Sequence, residues 1–216
     1  MNQSINPIKP TKLAVFDFDS TLMDGETIEI LAHHHGVGQQ VATITAQAMA
    51  GELDFYESLK ARTKMLQGMS ETKARQICEN LPLNPGAHEV VCGLKTKGYL
   101  VVCFSGGFKL ATIYFKKVLG LDAEFSNTLH CKNGYLTGEV GGEMMFGSSK
   151  GEMLATLQDL LKILPADTLV VGDGANDVSM FAYADKKIAF CAKEVLKKQA
   201  NIIIDKKDLT EVLAYV

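Results

Sequence analysis

From Ala14 to Leu22 the chain reads Ala-Val-Phe-Asp-Phe-Asp-Ser-Thr-Leu, and Asp17 and Asp19 are its most chemically capable pair. Residues 12–16 are short and mostly apolar, as a buried parallel strand requires. Residues two apart on an extended chain point the same way, so both carboxylates would leave the strand end on one side, roughly 7 Å apart. Ligands collect at the carboxyl ends of strands in open α/β sheets. Two acids with no base between them repel each other, and a divalent metal with oxygen ligands is the natural compensation. A helix N-cap would need one Asp, Ser or Thr; this segment offers four such residues in Asp17, Asp19, Ser20 and Thr21.

Three later segments carry complementary chemistry. Ser105-Gly106-Gly107 follows an apolar strand at 99–104 and offers a hydroxyl and backbone donors at the start of a helix. Such a turn can seat a phosphoryl oxygen, or simply join strand to helix. Asp173, Asn176 and Asp177 lie in Gly172-Asp-Gly-Ala-Asn-Asp177, and acids with an amide oxygen are hard ligands suited to magnesium. A dinucleotide loop is disfavoured there, because its sixth position is Asp177 where glycine or alanine is wanted. Lys150 opens a helix, the end at which the dipole prefers anions, so its charge is expected to be aimed at one. Its flanks lack the Walker spacing, and Ser105 lacks the Gly-x-Ser-x-Gly setting of a serine hydrolase. His33, His34 and His35 are consecutive and share no helix face, and His88 and His130 are isolated, so no histidine is given a role.

The elements that must position these groups alternate. Apolar residues recur at spacings of three and four over 26–35, 39–52, 55–67 and 71–81, predicting four helices with caps at Asp54 and Ser70 and breaks at Gly36, Gly51 and Gly68. A turn-rich hinge at 81–86 follows. Strands at 99–104, 123–125, 168–171, 187–190 and 201–204 then alternate with helices at 87–97, 108–119, 151–162, 178–184, 194–199 and 209–216, and Asn133-Gly134 marks a hairpin. The expected class is α/β: a parallel sheet with helices on both faces and a small helical cap inserted near its first strand. The boundaries are a core of 12–21 and 86–216, a cap domain of 22–85, and a loose polar tail of 1–11 with no signal-peptide centre.

Composition narrows the partners. The 216 residues suffice for one ordinary core, and a net charge of −3 without a long basic run argues against nucleic acid. No apolar stretch reaches membrane-spanning length. Five scattered cysteines form neither a disulfide framework nor a zinc site, which fits a reducing cytoplasm; Cys92, Cys103 and Cys191 are expected in the core.

Asp-x-Asp-Ser-Thr, Ser-Gly-Gly, a downstream lysine and Gly-Asp-Gly-x-Asn-Asp, in that order, resemble the haloacid-dehalogenase superfamily of phosphoryl-transfer enzymes. The resemblance covers nearly all of the chain from Lys12 and implies a Rossmann-like fold with a helical cap after the first motif. It implies a magnesium-dependent phosphatase acting on a small molecule, O-phospho-L-serine, in the last step of serine synthesis. Asp17 is then the nucleophile and Asp19 the general acid and base. Asp17, the backbone carbonyl of Asp19 and Asp173 are then metal ligands, with Asp177 supporting the metal's waters or the lysine. Ser105, Gly106, Lys150 and Asn176 hold the phosphoryl group; Glu26 and Arg62 recognise the ammonium and carboxylate, between apolar walls at Met49 and Phe55. Like-charge repulsion from Asp17 is expected to raise the Asp19 pKa, against the pull of the metal. The alternatives are phosphoryl transfer to another alcohol such as homoserine, hydrolysis of another small phosphate, or a silent metabolite sensor.

Overall fold

The computed structural model describes residues 12–49 and 52–216; the tail at 1–11, the break at Gly51 and the side chain of Met49 lie outside the described residues. Seven strands, β1 (Lys12–Asp17), β2 (Tyr99–Phe108), β3 (Ala123–Lys132), β4 (Tyr135–Gly142), β5 (Thr168–Gly172), β6 (Lys186–Phe190) and β7 (Ile202–Ile204), form one sheet. Their order is β4-β3-β2-β1-β5-β6-β7, and every neighbouring pair is parallel except β3 with β4. The chain builds outward from β1 in both directions, so β1 lies at the topological switch, with the carboxyl ends of β2 and β5 beside its own.

Strand β1 is buried on both faces. Leu13 and Val15 enter one core with Val102, Phe104 and Val170, while Ala14 and Phe16 enter the other with Val101, Cys103 and Val171. That two-sided burial is why the sequence reads as an unbroken apolar run. Helices α5 (Ala87–Thr96) and α6 (Lys109–Leu119) close one face through Val90, Leu94 and Phe115. The other is closed by α7 (Ser149–Leu161) and α8 (Val178–Phe181) through Leu154, Met180 and Phe181.

Between β1 and α5 the chain forms four helices, α1 (Thr27–His35), α2 (Gly38–Met49), α3 (Phe55–Lys64) and α4 (Glu71–Glu79). Asp54 caps α3 through a reciprocal box with Glu57, at 2.8 and 3.1 Å. Ser70 stands at the start of α4 but makes no side-chain capping bond. The insertion shares apolar packing with the sheet domain, since Leu31, Val41, Leu59, Leu66 and Met69 belong to the same buried cluster as Phe16 and Phe108. It also joins the β3–β4 hairpin by backbone bonds from Gly68 to Leu136, Leu136 to Met69, and Glu71 to Gly134.

Several boundaries differ from expectation. β3 runs ten residues, well beyond the expected 123–125, because β4 pairs with its outer half. The Asn133-Gly134 turn between them has φ of 54° and 80°, the left-handed pair of a tight hairpin. β2 continues through Ser105, Gly106 and Gly107 to Phe108, so those residues end a strand and the helix begins only at Lys109. Leu209–Tyr215 winds as a tight 3₁₀ segment in place of the expected α-helix. All five cysteines are free thiols; Cys103 is buried as expected, but Cys92 and Cys191 are exposed. Cys92 falls on the outer side of α5, opposite Val90, Val91 and Leu94, and Cys191 lies just past β6. Among the described residues, no helix is long and apolar enough to cross a membrane.

Candidate active site

At the carboxyl ends of β1, β2 and β5 the three polar turns meet around a cavity of about 660 Å³. Asp17, Asp19, Glu26, Phe55, Arg62, Gly106, Asp173 and Asn176 all line it. Ser105 and Lys150 are buried just behind that lining.

Immediately after Asp17 the chain leaves the extended form and winds through Phe18–Leu22, with Ser20 at φ 57°. The two carboxylates therefore share the cavity through a turn, not through strand alternation. The Asp17 carboxylate accepts the Phe18 N–H at 2.7 Å, and the Lys150 ammonium lies 2.7 Å from it. Asp19 is held from the insertion: the backbone N–H of Thr27 donates to its Oδ1 at 2.9 Å, and the Thr27 hydroxyl donates to the same oxygen. Its other oxygen packs on Gly107, where any Cβ would come within 2.6 Å of it.

The Asp177 carboxylate folds back over its own turn. Oδ2 accepts the N–H groups of Asp173 and Gly174, each at 3.0 Å, and Oδ1 accepts from Lys150 at 2.6 Å. Lys150 is thus aimed at anions, and the anions are Asp17 and Asp177.

Three buried carboxylates, Asp17, Asp173 and Asp177, have oxygens within 4.8 Å of one another, and the Lys150 ammonium bonds two of them, Asp17 and Asp177. Burial, and then Asp177, push the Asp17 carboxyl well above the usual range despite Lys150. Burial and Asp177 raise Asp173 to about 6. Burial alone would lower the Lys150 pKa, but the two carboxylates outweigh it and keep the ammonium charged. A cluster of hard oxygen donors with uncompensated negative charge fits a divalent cation. Asp177 belongs to this cluster and also accepts a hydrogen bond from the Lys150 ammonium.

The Asp19 carboxyl is also raised, but burial is the cause; the Thr27 hydrogen bonds, Lys150 and Arg62 oppose it. Burial leads the shift, where repulsion from Asp17 was the expected origin.

Glu26 and Arg62 occupy the insertion side of the cavity. Ser20 donates its hydroxyl to Glu26 at 2.9 Å, while burial and then Asp19 push the Glu26 carboxyl up to about 8. Arg62 donates Nε–H to the Ser58 carbonyl at 3.3 Å. Phe55 lies directly over Gly106, where a Cβ would meet its ring at 2.9 Å, so any side chain there would have to push the ring away. Glu26 itself precedes α1 in extended conformation, one residue outside the helix expected to contain it.

Sequence reasoning missed Thr27, which holds Asp19, and Glu29 and Lys193, which line the cavity. Thr27 had a legible signal, a hydroxyl at the first turn of a helix beside an acidic motif. Lys193 lines the cavity from the loop after β6 and donates its backbone N–H to the Asp173 carbonyl at 2.8 Å. Nothing in Cys-Ala-Lys-Glu distinguishes it from a solvated charge.

A family model described as haloacid dehalogenase-like hydrolase matches residues 11–185. A phosphoserine phosphatase of Wolinella succinogenes is 64% identical over 205 residues, covering 95% of this chain and all of that protein. Among solved structures, a phospho-aspartyl intermediate analogue of phosphoserine phosphatase superposes with a TM-score of 0.91 at 45% identity, over 96% of this chain and 100% of the other. A substrate-bound phosphoserine phosphatase complex gives the same score and identity over 95% and 98%.

Proposed function

The chain belongs to the haloacid dehalogenase-like hydrolases, and from that premise we propose that it hydrolyses O-phospho-L-serine to L-serine and phosphate, the last step of serine synthesis in the cytoplasm. One observation carries the reading: the buried group of Asp17, Lys150, Asp173 and Asp177 opens onto a cavity whose far side presents Glu26 and Arg62.

Asp17 attacks phosphorus; the phosphorus–oxygen bond to serine breaks, and the leaving oxygen takes a proton from Asp19. Water then attacks the aspartyl-phosphate, giving its proton to Asp19 and releasing phosphate and the free Asp17 carboxylate. A raised Asp19 pKa suits a group that must hold a proton before the first step. Ser105, the Gly106 amide, Lys150 and Asn176 hold the phosphoryl oxygens. Asp17, the Asp19 backbone carbonyl and Asp173 would hold magnesium, with Asp177 orienting Lys150 or supporting the metal's waters. Bound there, magnesium supplies positive charge that lets two anions approach.

Beyond the phosphate, Arg62 grips the substrate carboxylate, Glu26 pairs with its ammonium, and Phe55 forms an apolar wall. The helical segment 22–85 acts as a cap that excludes bulk water from the first step.

The test is phosphate release from a panel of phosphorylated metabolites, including both phosphoserine enantiomers, with and without magnesium. The L-enantiomer should be the best substrate and magnesium essential. Efficient release from another metabolite, or transfer to added homoserine in preference to water, would replace this reading.

A further inference from the structure

Asn127 is fully buried on β3, touches none of the cavity, and yet makes three hydrogen bonds that converge on the site. Its amide nitrogen donates to the Gly106 carbonyl at 3.1 Å and to the Met144 carbonyl at 2.9 Å. Its carbonyl oxygen accepts the Met144 N–H at 2.9 Å. A buried primary amide is tolerated when its donors and acceptor are matched, and here both donors and the acceptor oxygen are engaged.

The first arm repairs a break in the sheet. The β2–β3 register shifts between Phe104 and Phe108, so Ser105, Gly106 and Gly107 have no residue-for-residue partner on β3. In that gap the Gly106–Gly107 peptide is held at both ends: Asn127 takes its C=O, and the Ser105 hydroxyl accepts its N–H at 2.9 Å. The same peptide packs against Asp19. The second arm grips both polar groups of Met144, itself buried, in the loop leading to Lys150. The loop closes one turn later, where Phe146 and Ser149 exchange bonds at 3.1 Å. The chain comes this near because residue 142 is glycine: it pairs with Asn127 at φ 149°, and a Cβ there would lie 2.7 Å from the Asn127 Cα.

We propose that Asn127 is a positioning residue for the reaction. It locks the Ser105–Gly107 turn and the Lys150 loop to one another, so that the two halves of the phosphoryl site keep a fixed separation. The inference rests on the phosphatase reading given above, but concerns only the phosphate end and not the identity of the alcohol.

Asn127→Ala removes both arms; Asn127→Asp keeps the volume and the acceptor for Met144 but turns an oxygen toward two carbonyls. Supporting groups of this kind change activity by roughly 10–100-fold. In the magnesium-loaded protein, kcat should fall by about that factor, and product inhibition by inorganic phosphate should weaken about tenfold or more. Inhibition by free L-serine, which reports the Glu26–Arg62 end, should stay within about twofold; a generally loosened structure would weaken both products together. Assaying p-nitrophenyl phosphate in parallel separates the two ideas. A wild type that cleaves the aryl ester and not phosphoserine overturns the functional reading and leaves the Asn127 comparison readable. Folded variants with unchanged kcat and phosphate inhibition overturn the positioning role. So does failure of both variants to fold, which would make Asn127 a requirement of the fold and not of the site.

Discussion

Arg62→Ala separates recognition of the amino acid from phosphoryl chemistry. Arg62 is half-buried on α3, commits only Nε to Ser58, and among the described residues its terminal nitrogens have no ion-pair partner. Burial lowers its pKa while Glu26, Glu29 and Asp19 hold it up, so the guanidinium enters the cavity charged. Two charge-assisted bonds to a substrate carboxylate, discounted for partial exposure, are worth about 2–4 kcal/mol. At 1.36 kcal/mol per decade, kcat/KM for phosphoserine should fall ~30- to 1000-fold. An aryl phosphate has no carboxylate to lose, so its kcat/KM should move by less than about threefold. Arg62→Lys should recover only part of the loss, because an ammonium cannot present the planar fork. Steady-state kinetics on both substrates at fixed magnesium reads the difference. Equal losses on the two would refute the assignment, since the residue would then be acting on the fold or on the phosphate.

Asp17→Asn should abolish turnover on every phosphate ester while the far-UV circular dichroism and melting temperature remain near wild type; residual activity above about 1% would remove Asp17 as nucleophile. Glu26 gives a signed pH effect. Its folded carboxyl keeps a proton up to about 8 while the unfolded one loses it near 4.5, so in the metal- and substrate-free protein its contribution makes stability fall as pH rises across that window. Glu26→Gln should flatten that fall in melting temperature between pH 5 and 8.5; an unchanged profile would show that Glu26 is ionised throughout. Chelation should stop phosphate release and added magnesium restore it. Magnesium at 100 times its Kd should stabilise the fold by about 2.7 kcal/mol, a shift that Asp173→Asn should largely erase. Full activity in excess chelator would dismiss the metal.

The strand-borne part of the site was legible because each motif directly follows an apolar run, and a parallel sheet gathers such strand ends on one edge. That reasoning placed Asp17, Ser105 and Asp173 together without knowing the strand order. It erred where tertiary contacts decide local geometry. The Ser105–Gly107 turn looked like a helix start, yet pairing with β3 resumes beyond it at Phe108, and the Asn127 bond to Gly106 ties the unpaired stretch into β2. Cys92 and Cys191 looked apolar by their neighbours, yet helix phase and a strand end expose them. Thr27 and Lys193 escaped notice because their partners, Asp19 and Asp173, lie on other elements. Glu26 and Arg62 were legible only through family resemblance, since charges on helices usually face water.

The two ends of the cavity are built on different principles. At the phosphate end, Asp17, Lys150, Asp173 and Asp177 are buried together at the carboxyl ends of β1 and β5 and the start of α7, where uncompensated carboxylates cost stability that a bound cation would recover. At the other end, Glu26 and Arg62 stand on or beside inserted helices, partly exposed, and make few bonds of their own. Rigid, desolvated groups suit a reaction whose charges must be met at fixed places. Less committed groups suit recognition, because their hydrogen-bonding capacity remains for the ligand. Phe55 over Gly106 links the ends directly, putting an apolar ring of the insertion against the turn expected to hold phosphate. On the proposed assignment, reaction class and substrate choice reside in separable parts of the chain, so Asp17→Asn should fail on every ester while Arg62→Ala fails selectively on the one that carries a carboxylate.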